Sequence, residues 1–123
     1  METQQSVGEW IDTTFPGTDP DSPRKAIRAL EEMVELCLAS GATPEHLQQA
    51  VYNAIAQSGA IYGESRREPA KIPAEAADVL IVLYGVAHMR GFDLHAEVEK
   101  KMAINRARRW AARGDGTGYH IKD

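Results

Sequence analysis

The chain has 123 residues, 43% of them hydrophobic, and a formal charge of −4 at pH 7. That length argues for one domain with a real core. The acidic balance offers no general attraction to nucleic acid, so a polyanionic ligand would need metal ions or a local basic patch. The single cysteine, Cys37, lies inside an apolar helical pattern. Read as a buried lone thiol without a catalytic partner, it excludes an internal disulfide and suits a reducing, cytoplasmic setting. The first residues lack the basic and apolar regions of a signal peptide. The apolar run 79–87 reads as too short to span a bilayer, so no membrane partner is expected.

In chain order, residues 6–15 read as a short helix with Val7, Trp10, Ile11 and Phe15 as its apolar positions. Residues 16–21 are turn-rich. Ser22-Pro23 is an N-cap followed by Pro at the first helical position, and a helix runs from there to about Ser40, stopped by Gly41. Its apolar stripe is Ile27, Leu30, Val34, Cys37 and Leu38. Thr43-Pro44 repeats the cap-and-proline start, and this helix ends between Ser58-Gly59 and Tyr62-Gly63. Residues 64–71 are polar and read as a mobile loop. Pro73 opens a helix that ends at Gly91, and Asp93 caps the last helix, which runs to about Arg113. The glycine-rich residues 114–123 read as a flexible tail, and residues 1–21 as a short helix and turn on a single domain spanning 1–123. With no strand pattern and short connections, the fold class is all-α, a bundle of four to five helices. The helix from Pro73 is apolar on nearly every side, which demands cover on every side. A homo-oligomer, a homodimer or homotetramer, is therefore expected.

That same helix carries Glu75 and Asp78. At about 100° per residue, Glu75, Asp78, Val79, Val82, Val86 and Met89 share one stripe, so the two acids continue an apolar row. A buried carboxylate costs several kcal/mol unless a cation or hydrogen bonds meet it. A second acidic cluster, Glu31, Glu32 and Glu35, borders the apolar stripe of the earlier helix. Glu35 lies three residues from Glu32 and four from Glu31, so these pairs converge. Like charges this close repel unless bridged or protonated. Oxygen-only ligands select hard ions, Mg²⁺ or Mn²⁺. No His stands three or four residues away, which argues against a Glu-x-x-His di-iron site. The competing reading is a solvated Glu-rich face, with first-turn acids that merely complement the helix dipole.

Glu31-Glu32-Met33-Val34-Glu35 followed by Glu75-Ala76-Ala77-Asp78 resembles the E-E-x-x-E … E-x-x-D signature of the all-α nucleoside triphosphate pyrophosphohydrolases. These include the MazG-like proteins, dimeric dUTPases, dCTP pyrophosphatases and phosphoribosyl-ATP pyrophosphohydrolase. The gap between the two halves looks longer than is common in that family. The resemblance implies hydrolysis of (deoxy)nucleoside triphosphates to monophosphate and pyrophosphate. It implies Glu32, Glu35, Glu75 and Asp78 as Mg²⁺ ligands, with Glu31 on a second metal or the attacking water. In projection Glu31 lies further inward than Glu32, so the division between the two stays open. Phosphoribosyl-ATP hydrolysis and a non-catalytic helical oligomer are the alternatives.

On the last helix, Leu94, Val98, Lys101, Asn105 and Arg108 or Arg109 share a stripe. Lys101 and the arginines suit phosphates, and Asn105 suits sugar or phosphate. The other reading is snorkelling cations at a helix C-terminus. Trp10 suits a nucleobase, as an N-terminal aromatic does in the resembled family, or else the core. Arg66, Arg67 and Lys71 suit a loop closing over a triphosphate or one that is simply solvated. The four histidines are assigned no role.

Overall fold

The structure is a computed structural model that describes residues 1–122. It is all-α, as expected. Its elements are α1 (Gln4–Thr14), α2 (Arg24–Ala39), α3 (Pro44–Ser58), a 3₁₀ turn (Pro69–Lys71), α4 (Ile72–Arg90), α5 (Leu94–Ala107) and a small hairpin, β1 (Trp110–Ala112) with β2 (Gly118–His120). The chain divides into two units. One is Met1–Lys25 together with the chain from Pro73 onward; the other is Ala26–Ile72.

In the first unit, α1 starts with a reciprocal cap. Thr3 Oγ1 accepts from the Ser6 amide at 3.0 Å, and Ser6 Oγ accepts from the Thr3 amide at 2.7 Å. This satisfies two backbone donors at a helix start. The α1 helix delivers Trp10 and Phe15 to Trp110. The three rings meet edge to face, with centroids 5.5, 5.6 and 5.7 Å apart. Among the described residues, Phe15, Ala87 and Met102 are the buried hydrophobic ones. The hairpin is antiparallel, with Trp110 opposite His120, Ala111 opposite Tyr119 and Ala112 opposite Gly118. Its turn docks on the α1–α2 connection: Gly116 N–H donates to the Pro16 carbonyl at 3.2 Å.

This end of the chain departs from the sequence reading. The last helix stops at Ala107 rather than near Arg113, and residues 110–120 form a hairpin rather than a flexible tail. The Trp110 indole N–H donates to the Asn105 carbonyl at 2.8 Å, so a side chain from beyond the helix satisfies a carbonyl of its last turn. The Trp110 ring reaches Trp10 and Phe15 from this position.

In the second unit, α3 is capped by Thr43. Its Oγ1 accepts from the His46 amide, and His46 Nδ1 accepts from the Thr43 amide, both at 3.2 Å. Gly59 ends α3 in the left-handed region at φ 73°. Between α2 and α3 runs an open apolar groove of about 530 Å³, lined by Val34, Leu38, Leu47, Val51, Ile55 and Tyr62 among others. Part of the 64–71 segment forms the 3₁₀ turn, and Glu68 lies 2.6 Å from Lys71 and 3.8 Å from Arg66.

The α4 helix reverses another expectation. Of its residues only Ala87 is buried, with Leu83 and Val86 half-buried. The stripe read as inward is largely exposed: Val79 is 50%, Val82 62% and Met89 72% exposed. Periodicity identifies an apolar face but does not say that the chain covers it. The helical stretch Pro69–Arg90 is also long and apolar enough, by length and composition alone, to cross a membrane. The length argument made from 79–87 therefore does not hold, although Glu75 and Asp78 lie within that stretch.

The tight hairpin yields a test. A Cβ at Gly118 would sit 2.3 Å from both the Phe15 ring and the Ala111 carbonyl oxygen, whereas one at Gly8, inside α1, would meet nothing within 4 Å. Gly118→Ala should lower stability by about 1–3 kcal/mol through overpacking. Gly8→Ala should be neutral or stabilise by up to about 1 kcal/mol, because Ala favours the helix. Urea unfolding followed by tryptophan fluorescence compares the two; equal midpoints would refute the packing around Gly118.

Candidate functional site

Glu31, Glu32 and Glu35 lie on α2, in the second unit, and all three are exposed. Arg28, one turn earlier, approaches two of them. Its guanidinium lies 3.4 Å from Glu31 Oε2 and donates to the Glu32 carboxylate. Both contacts have the three- or four-residue spacing that aligns side chains on a helix. At this exposure such ion pairs contribute little. Glu35 has no hydrogen bond or ion pair among the described residues.

Glu75 and Asp78 lie one turn apart at the start of α4, in the first unit, both exposed. Neither has a hydrogen-bond or ion-pair partner among the described residues. Among those residues no three His, Cys, Asp or Glu side chains form a group that could hold a metal ion. Each helix thus presents carboxylates in adjacent pairs, Glu32 with Glu35 and Glu75 with Asp78. The donor chemistry is oxygen-only and suits a hard divalent ion.

The basic stripe is shorter than the sequence suggested. Lys101 and Asn105 share one side of α5, with Lys101 exposed and Asn105 half-buried. Arg108 is the C-cap in extended conformation, and Arg109 lies beyond the helix with its carbonyl accepting from the Ile121 amide at 2.9 Å. Neither arginine continues the Lys101–Asn105 row, because the helix has ended. Asn105 Oδ1 is buried without a hydrogen-bond partner among the described residues, and its Nδ2 faces Met102 Sδ at 3.9 Å. Trp10 is half-buried in the ring cluster with Phe15 and Trp110, which is the packing role weighed against a base contact. Cys37 is half-buried rather than buried.

Sequence reasoning missed Arg106, whose guanidinium donates to both Glu2 carboxylate oxygens, the shortest contact at 2.6 Å. No local signal joins residues this far apart in the chain. The Arg106 hydrogen bond holds the Glu2 carboxyl below its ordinary range. The Thr117 hydroxyl and amide do the same for Asp115, which also lies 3.4 Å from Arg24 Nε. His95 Nε2 lies 2.9 Å from Tyr84 Oη.

No family model matches the chain, and no solved structure matches it. Two curated proteins do. A cyanophage S-2L protein named dATP/dGTP diphosphohydrolase is 45% identical over 49 residues, 40% of this chain and 47% of the relative. A Salmonella phage PMBT28 protein of the same name is 45% identical over 49 residues, 40% of this chain and 17% of the relative. The chain therefore matches about half the length of the first and a smaller part of the second.

The two lowered carboxyls set a pH dependence. A carboxyl whose folded value lies below its unfolded one adds stability above the unfolded value, and that stability is lost as pH falls through the folded one. Both tryptophans, Trp10 and Trp110, lie in the same unit as Glu2 and Asp115. The urea midpoint read by their fluorescence should be flat from pH 7 to about 5 and fall below about pH 4, in the carboxylate range. The double variant Glu2→Gln, Asp115→Asn should start lower at pH 7 and lose less on acidification; an unchanged acid slope would refute the assignment.

Proposed function

We propose that the chain is a Mg²⁺-dependent nucleoside triphosphate pyrophosphohydrolase of the all-α, MazG-like type. The observation that carries this is the set of three unpartnered carboxylates, Glu35, Glu75 and Asp78, placed with Glu31 and Glu32 at one-turn spacing on two helices. The partial likeness to two proteins named dATP/dGTP diphosphohydrolases supports the same chemistry and makes purine deoxynucleoside triphosphates the first substrates to try. The reaction is hydrolysis of the α–β phosphoanhydride, giving a nucleoside monophosphate and pyrophosphate in a cytoplasmic setting.

In this reading Glu32, Glu35, Glu75 and Asp78 hold Mg²⁺ or Mn²⁺. The ion supplies charge neutralisation at the phosphates and a lowered pKa for bound water. Glu31, or Glu32 in its place, orients the attacking water and accepts its proton. Lys101 meets phosphate charge as a flexible point cation, and Asn105 offers an amide to sugar or phosphate. Arg108 and Arg109 reach the same ligand only from beyond the helix end. Trp10 serves the site through packing.

The test is a nucleotide panel with Mg²⁺, scored for pyrophosphate against orthophosphate. Pyrophosphate release from dATP or dGTP is the expected result, and orthophosphate release alone would overturn the reading. Glu35→Gln and Asp78→Asn should each lower metal-dependent turnover by more than the 10–100-fold typical of disturbing a ligand's supporting partner. Their urea midpoints should stay at the wild-type value. Wild-type rates in either variant would refute the site. A second reading, a non-catalytic helical protein, draws on the Arg28 contacts to Glu31 and Glu32. It predicts no saturable heat when Mg²⁺ or Mn²⁺ is titrated in a calorimeter.

A further inference from the structure

We propose that the outer face of the C-terminal hairpin, with Arg113 and Tyr119 at its centre and Arg109 beside them, binds single-stranded nucleic acid. The net charge of −4 excludes a general attraction, but the charge is unevenly placed. From 108 to 122 the chain carries Arg108, Arg109, Arg113 and Lys122 against Asp115 alone. Asp115 is already engaged, by the Thr117 hydroxyl and amide and by Arg24 at 3.4 Å. All four cations are exposed. A local basic surface of this kind is what an acidic chain needs to hold a polyanion.

The hairpin sorts these residues by face. Its ladder runs one residue past each end of β1: the Ile121 amide donates to the Arg109 carbonyl and the Arg113 amide to the Thr117 carbonyl, both at 2.9 Å. Alternate residues of a strand face opposite ways. Trp110 packs on Trp10 and Phe15, so its face turns into the first unit. Arg109, Ala111 and Arg113 take the other face, together with Tyr119, which pairs with Ala111. Arg109 and Arg113 are thus the diagonal neighbours of Tyr119, within reach of long side chains. The Arg113 guanidinium lies over the Tyr119 ring, 5.2 Å from its centroid, and gives one N–H to the Gly118 carbonyl at 2.9 Å. Tyr119 is still 53% exposed. An open ring between two arginines is the combination that single strands use: an unpaired base stacks on the ring, and the cations meet the phosphates on either side. A duplex offers no such base face, because its bases stack on one another. An anionic lipid surface would also meet the arginines, but inserting Tyr119 would carry the guanidinium that lies over it toward hydrocarbon.

The test follows the anisotropy of a fluorescein-labelled oligothymidylate titrated with the full chain in EDTA. No triphosphate or divalent metal is present, so the result is decided separately from the proposed activity. Binding with a Kd of about 100 µM or tighter is expected at low salt, and log K should fall against log salt by about 0.7 for each phosphate neutralised. Tyr119→Ala should weaken binding roughly tenfold and leave that slope unchanged, because stacking releases no counterions. Tyr119→Phe should bind as wild type. Arg113→Gln should weaken binding and flatten the slope. Two readings need no variant and hold if one fails to fold: the wild-type slope, and a preference for oligothymidylate over a DNA duplex of the same length. A flat slope, duplex bound equally or better, full binding by a folded Tyr119→Ala chain, or poly-glutamate competing as well as oligothymidylate would each overturn the proposal. Capture on phosphatidylserine vesicles without binding of the oligonucleotide would overturn it in favour of a membrane.

Discussion

The mutual edge-to-face packing of Trp10, Phe15 and Trp110 is the constraint on which the first unit depends. The interplanar angles of 86°, 79° and 89° let the positive edge of one ring meet the negative face of another. Such pairs add about 0.5–1.5 kcal/mol each beyond the area they bury. The rings come from α1, the residue that ends it, and the strand after α5, so one cluster joins the two ends of the chain. For Trp110 to arrive there, α5 must stop early and the backbone must open. The indole N–H then takes the Asn105 carbonyl. The hairpin register places Gly118 against Phe15, where no side chain fits. The end of α5 and the loss of Arg108 and Arg109 from its face thus follow from one aromatic contact.

The α4 helix poses the opposite problem. Its residues are apolar on almost every side, and few of them find cover. The burial cost that first drew attention to Glu75 and Asp78 therefore does not arise in this chain, since both carboxylates meet water. Their case rests instead on spacing and on their lack of partners. Two carboxylates one turn apart on a stiff helix are held at a fixed separation whatever the rest of the chain does. The same exposure that removes the electrostatic penalty creates a hydrophobic one, because the apolar side chains of α4 meet water as well.

What could be read in the sequence was local. Ser22-Pro23, Thr43-Pro44 and Asp93 mark helix starts because a side-chain oxygen meets nearby amides. Gly41, Gly59 and Gly91 mark ends because each sits at positive φ. The acids and their spacing on α2 and α4 were equally legible, since helical periodicity is a short-range property. The hairpin was hidden because three-residue strands carry almost no pattern, and because the force that makes them is a ring contact formed across the whole chain. The Glu2–Arg106 pair was hidden for the same reason. The stripe on α4 was misjudged because periodicity shows which residues want cover, not whether the chain provides it.

The five acids are not equivalent, and their neighbours say how. Arg28 already neutralises part of the charge on Glu31 and Glu32, whereas Glu35, Glu75 and Asp78 have no such partner among the described residues. A cation approaching α2 would meet Glu35, and one approaching α4 would meet Glu75 and Asp78, as carboxylates with no partner among the described residues. To use Glu32 it would first displace an exposed guanidinium, a contact worth at most about 1 kcal/mol. A divalent ion would compete for Glu32 with twice the charge at shorter range. The Arg28 ion pairs are therefore compatible with either a solvated helix face or a metal-binding one, because exposed contacts of this kind are weak enough to exchange.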